Sequence, residues 1–167
     1  MTGSSSIMDM KASLVSCLAR ELSGVQVLDG YRNAQYFGEL EKPLMNVTIK
    51  EVQSVPQGFG DHLGFEVNGG QTNQVRGTLG KVVFSLALQL PAHTGGQGAD
   101  EYLLKIFDGL QKDPDTAFLS MQCGELSFRE EIQAFFLEIT VQAELILFRE
   151  EELAAIEQIE LRADCAE

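Results

Sequence analysis

The chain has 167 residues, 44% of them hydrophobic and 22% charged, which is the composition of one ordinary globular domain with ample apolar material for a core. Its formal net charge of −13 comes with twelve scattered basic residues and no Lys/Arg cluster. Binding to phosphate depends on cationic side chains displacing counterions, so specific nucleic-acid recognition and adhesion to an anionic membrane are both excluded as expectations. The sequence has no apolar run near the ~20 residues that span a bilayer, and the opening MTGSSSIMDMK lacks the basic start and apolar stretch of a secretory leader. The three cysteines, Cys17, Cys123 and Cys165, form no CxxC spacing, so they read as reduced thiols in an intracellular setting, with Cys17 and Cys123 as small core residues.

In chain order, residues 1–6 are Gly/Ser/Thr-rich and read as a loose start that offers a serine N-cap. Ile7, Met10, Leu14, Val15, Leu18 and Leu22 then follow helical spacing, and Ser23-Gly24 offers a stop. Val25–Leu28 is a short β-prone piece ended by the turn pair Asp29-Gly30. After Pro43, Met45, Val47 and Ile49 alternate with Asn46, Thr48 and Lys50, predicting a strand that runs to about Val55.

Residues 56–80 hold seven glycines among polar residues and read as a long irregular, flexible loop, the kind of segment that carries function in compact domains. Lys81–Leu90 is a strand with Phe84, Leu86, Leu88 and Leu90 on one face. Asp100 is placed as the cap of a second helix, whose buried stripe is Leu103, Ile106, Phe107 and Leu110. Phe118–Cys123 is expected to pair with the most regular element of the chain, Ala134–Phe148. There Phe135, Leu137, Ile139, Val141, Ala143, Leu145 and Leu147 alternate with Glu138, Thr140, Gln142 and Glu144, as a strand with one wet face requires. At about 3.3 Å per residue it runs roughly 50 Å, several times the usual strand length, so it must bend over the core or reach outside its own subunit. A Glu-rich helix from about Glu151 to Leu161 is predicted to close the chain, and residues 150–167 carry seven acidic side chains against Arg162 alone.

Strands outnumber helices and connect mostly without crossovers. The expected fold is therefore α+β, with a mainly antiparallel sheet of about four or five strands flanked by two helices. Residues 1–150 form the single domain, and 151–167 the acidic C-terminal helix or tail.

Motifs for chemistry are weak. The glycines of Gly77–Lys81, GTLGK, stand too close together for a phosphate loop, with Val82 where a hydroxyl is needed and a strand where a helix should begin. His62 and His93 have no second His or Cys at metal-ligand spacing, and no GxSxG elbow accompanies them. Glu130-Glu131 and Glu150–Glu152 read as solvated edges, since neighbours on a strand point to opposite faces. No catalytic residue, cofactor or metal is expected, and the chain is read as a non-enzyme.

The helix at 7–22, the strands leading into the glycine-rich segment, FSLALQL, the helix ADEYLLKIFDGL and the closing REEIQAFFLEITVQAEL resemble in order and character the bacteriophage tail terminator or tail-completion proteins, with their tail-tube-like fold. The similarity covers about residues 7–148, and no short motif carries functional residues across. It implies a structural virion protein of the phage tail, assembled in the bacterial host cytoplasm. Its copies would form a ring, six-fold, that caps the tail tube, stops its polymerisation and joins it to the head connector, with DNA passing through. A phage tail-tube protein, a head–tail connector or an unrelated small acidic interaction module are the alternatives. A ring needs heterologous contacts, and a segment at 56–80 that orders on a neighbour would supply them, with Phe59 and Phe65 as anchors and Arg76 and Lys81 paired to acidic neighbours.

Overall fold

A computed structural model describes residues 3–30, 40–55, 62–68, 71–95, 97–112 and 118–149. The elements in chain order are helix α1 (Gly3–Glu21), strands β1 (Gln26–Asp29), β2 (Leu44–Val55), β3 (His62–Asn68) and β4 (Gln71–Pro91), helix α2 (Gln97–Lys112), and strands β5 (Phe118–Cys123), β6 (Ser127–Arg129) and β7 (Ala134–Arg149). The fold is α+β, and its described strands make one mixed sheet in the order β1-β2-β4-β7-β5, with β3 added to β4 and β6 added to β7. β1 joins β2 in parallel; every other pairing is antiparallel.

The centre of the sheet is the β4–β7 pair, in continuous register from Arg76↔Arg149 to Pro91↔Ala134. β4 has 21 residues, a length of roughly 70 Å at about 3.3 Å each. That length lets β4 hold β2 and β7 on its two sides and still extend to pair with β3. Alternation decides what each face of the pair becomes. Val82, Phe84, Leu86, Leu88 and Leu90 are buried on one face with Leu137, Ile139, Val141 and Ala143 of β7 and Met45 and Val47 of β2. Leu14 and Leu18 of α1, Leu22 just past its end, and Ile106 and Leu110 of α2 close over them as one core. The helices meet where Gly109 lies beside Glu21: an added Cβ would stand 2.8 Å from the Glu21 Cγ. The Cys17 thiol donates to the Gly109 carbonyl across the same contact, at 3.5 Å.

Local chemistry sets the element ends. Gly24, at φ 88°, turns the chain out of α1, and Gly30, at φ 106°, turns it out of β1 while its N–H donates to the Val47 carbonyl at 2.9 Å. Both turns fall at the predicted stop signals, Ser23-Gly24 and Asp29-Gly30.

Several expectations are corrected. Within the segment read as a long irregular loop at 56–80, residues 62–68 and 71–80 are β3 and the first half of β4, paired from His62↔Arg76 to Asn68↔Gln71. Glycine and polar residues removed the apolar alternation there, so only the backbone pairing reveals the strands. Cross-strand hydrogen bonding does not require an apolar face. β6 was also missed, being three exposed residues long. α1 begins at Gly3 instead of about Ile7, and α2 begins at Gln97, three residues before the expected cap, so Asp100 lies in its first turn. A carboxylate there still meets the positive end of the helix. Cys123 is exposed, because β5 is the outermost strand on its side of the described sheet. The acidic helix at 151–161 lies outside the described residues.

Candidate functional site

The face of the sheet away from the helices is largely polar, with a small buried apolar cluster of Leu40, Leu44 and Ala134 at one end. Its rows come from the same register that builds the core. Thr48, Ser85, Thr140 and Gln122 lie in line across β2, β4, β7 and β5. The Thr48 hydroxyl donates to the Ser85 carbonyl and the Thr140 hydroxyl to the Gln122 carbonyl, each at 3.5 Å. In the neighbouring row, the Ser120 hydroxyl donates to Gln142 Oε1, also at 3.5 Å.

Charges on this face are set against one another. Lys50 Nζ donates to Glu138 Oε1 at 2.9 Å, and the Ser85 hydroxyl donates to the same oxygen at 3.1 Å. These two donors, with the more distant Arg129 guanidinium, hold the Glu138 carboxyl below the usual carboxylate range. Lys81 Nζ lies 3.5 Å from Glu144 Oε1, its register partner on β7. Arg129 is spread over the ring of Phe136, 3.7 Å from its centroid. Nearer β1, Asn46 is only 4% exposed, and its Oδ1 has no hydrogen-bond partner among the described residues.

The sheet ends in two different edges. β1 reaches only as far as Val47, so beyond it β2 pairs on one side alone among the described residues, with β4. On the far side β5 pairs only with β7 among the described residues. Each edge carries a register break, between Ile49 and Glu51 in β2 and between Phe118 and Ser120 in β5. Bulges of this kind twist an edge away from indiscriminate pairing. Each edge also exposes an apolar side chain, Val52 on β2 and Leu119 on β5. α2 adds Leu104 and Phe107, which are 64% and 43% exposed. The Phe107 exposure departs from the buried stripe expected of it, because Tyr102, Leu103, Ile106 and Leu110 already fill the face that meets the core.

Of the four residues singled out in the sequence, the three that fall within the described residues lie on β3 and β4. Phe59 lies outside the described residues. Phe65 is on β3, in register with Gln74. Arg76 is on β4, in register with His62 on one side and Arg149 on the other. Lys81, five residues further along β4, is ion-paired within its own chain to Glu144. GTLGK lies wholly within β4, so no helix follows it to receive a phosphate. His93 is exposed in a single turn after β4, and Glu130 and Glu131 are exposed in another turn before β7, not on a strand. Although Cys123 is exposed, partial desolvation, with a smaller contribution from Asp100, raises its thiol above the ordinary value, which disfavours the reactive thiolate. No group of three or more metal-ligating side chains occurs among the described residues, and no described helix is long and apolar enough to cross a membrane.

The pairing of Lys50 with Glu138 was not anticipated, although alternation put each on a polar position. The two are 88 residues apart, and only the β2-β4-β7 order brings them together. What the geometry offers is a two-layer domain with one helical face, one polar face of paired charges, and two unlike edges. No protein-family model matches the chain, and a comparison with curated proteins finds none similar to it.

Proposed function

We propose that the protein is a structural component of a bacteriophage tail, a terminator whose copies close into a six-fold ring that caps the tail tube and joins it to the head connector. The observation that carries this reading is the pair of unlike edges that the described residues leave on opposite sides of one sheet, β2 beyond Val47 and β5. A two-fold dimer would bring like patches together, whereas a ring is built from two different patches on each subunit. The exposed apolar residues beside those edges, Val52 on one and Leu119 on the other, are the kind of contact a neighbouring copy would cover.

The polar face suits a conduit. Its lysines are matched by Glu138 and Glu144, so phosphates passing along it would meet few free cations to hold them, and the overall charge of −13 would repel DNA from the wall. In this reading the partners are other copies of the chain, the tail-tube protein and the head–tail connector. The protein resides in the virion tail after assembly in the host cytoplasm, and it performs no catalysis.

The test is the mass of the purified protein in solution, with negative-stain imaging of the same sample. Closed rings, or a monomer that forms rings on addition of tail tubes, are the expected outcome. Long tubes formed by the protein alone would assign it to the tail tube instead. A monomer indifferent to phage tails would overturn both readings and leave a small acidic interaction module.

A further inference from the structure

One buried acceptor of the sheet meets no donor. Asn46 lies between Met45 and Val47 of the core and so points to the opposite face, yet it is only 4% exposed, and its Oδ1 is enclosed and unbonded among the described residues. At this point β2 is paired on both sides, to Leu28 of β1 and to Ala87 of β4, so its backbone donors are committed to the ladders. The side chains beside Asn46 on its face are those of Leu28, Leu44, Ala87 and Thr48. Three of them are apolar, and the Thr48 hydroxyl gives its proton to the Ser85 carbonyl. A buried acceptor without a donor keeps the full cost of its desolvation, so folded proteins seldom leave one unmet.

Room for a donor lies over Ala87. Asn46, Ala87 and Glu138 form one row across β2, β4 and β7, and a single methyl is the only side-chain bulk between the two polar ends. Two strand spacings separate the outer backbones by about 10 Å. Glu138 leans back across that gap, because its Oε1 accepts from Lys50 of β2 at 2.9 Å and from Ser85 of β4 at 3.1 Å. We infer that one ordered water molecule sits over the Ala87 methyl and bridges Asn46 to Glu138, donating one proton to Asn46 Oδ1 and the other to Glu138 Oε2. A cation is disfavoured in that place, since the Lys50 ammonium already holds the carboxylate. An apolar occupant would leave the amide unmet. Water both donates and accepts, so it satisfies the amide in either orientation of its oxygen and nitrogen. The bridge links β2 to β7 across a strand whose own side chain is too short to do so, and it does not depend on copies assembling.

A crystal structure of the full chain, at a resolution that shows ordered water, tests this directly. The expected result is a water within about 2.7–3.2 Å of both the Asn46 amide and the Glu138 carboxylate. A donor of the chain itself on Asn46 Oδ1, or no ordered water over Ala87, would overturn the inference. A pair of substitutions supplies a second readout. Ala87→Val fills the space; valine favours a strand, so on an unoccupied surface it should hold or raise stability. Here it is expected to lower the urea midpoint by expelling the water, and Asn46→Leu added to it should recover most of that loss, since no acceptor then remains to be met. A midpoint unmoved by Ala87→Val, or lowered equally with and without Asn46→Leu, would overturn the bridge. Where Ala87→Val fails to fold, the crystal structure of the unaltered chain still decides.

Discussion

The two halves of β4 belong to one strand and obey different rules. From Val82 to Leu90 every second residue is fully buried beneath the helices. From Gln71 to Gly80 the same strand is built of Gln, Thr, Asn, Arg and Gly with Val75 and Leu79, and it is held by backbone pairing to β3, β2 and β7. The first half is stabilised by removal of apolar area from water, which scales with side-chain size. The second relies on hydrogen-bond ladders, each bond contributing little net free energy. The helix-covered half is therefore expected to carry the larger share of the stability.

The sharpest way to break this comparison is to remove bulk from the buried half. Phe84 is fully buried on β4 in the core shared with α1 and α2, paired with Ile49 on one side and Val141 on the other. Phe84→Ala is expected to cost about 3–5 kcal/mol, as aromatic truncations in packed cores do. Urea denaturation followed by circular dichroism reads it directly. A loss below about 1 kcal/mol would mean that the core refills the void and that stability is not concentrated there.

A smaller effect is expected from the polar face. Glu138 is held below its ordinary pKa by Lys50 first and Ser85 second. A carboxyl with a depressed folded-state pKa contributes stability that is fully present above the unfolded value, near 4.3, and is lost as pH falls through the folded value. The Glu138 side chain is 43% exposed, so solvent screening keeps the contribution below about 1 kcal/mol. Glu138→Gln should therefore lower the urea midpoint at pH 7 and converge with the wild type in strong acid. Urea midpoints of the two proteins from pH 3 to 7 check this. A difference that persists unchanged at pH 3 would assign the effect to packing, not charge.

The buried half was legible in the sequence and the other half was not, for the same physical reason. Leu86, Leu88 and Leu90, like Ile139 and Val141, announce a strand because burial on one face imposes a two-residue period. Thr72, Asn73 and Gln74 announce nothing, since a ladder of N–H and C=O groups leaves no trace in side-chain chemistry. The polar face was half legible: alternation put Lys50 and Glu138 on wet positions, but their meeting depends on strand order, which local pattern does not contain. Cys123 was misplaced for a related reason. Its small apolar character fits a core, and only its place on the outermost strand exposes it.

The smallest expected effect tests the pairing-held half. The Ser54 hydroxyl donates to Thr78 Oγ1 at 2.9 Å, bridging β2 and β4 at an exposed position. Water replaces either partner readily there, so Ser54→Ala should cost no more than about 0.5 kcal/mol, at the low end for a single hydrogen bond. Hydrogen exchange adds resolution that global unfolding lacks, because a region held by backbone bonds opens locally at less than the global free energy. The variant should speed exchange of the amides around Ser54 and Thr78 while those of Phe84 and Ile139 stay at the global rate. Equal acceleration at both places would show that β4 opens as one unit, and that the helix-covered half stabilises the whole length of the strand.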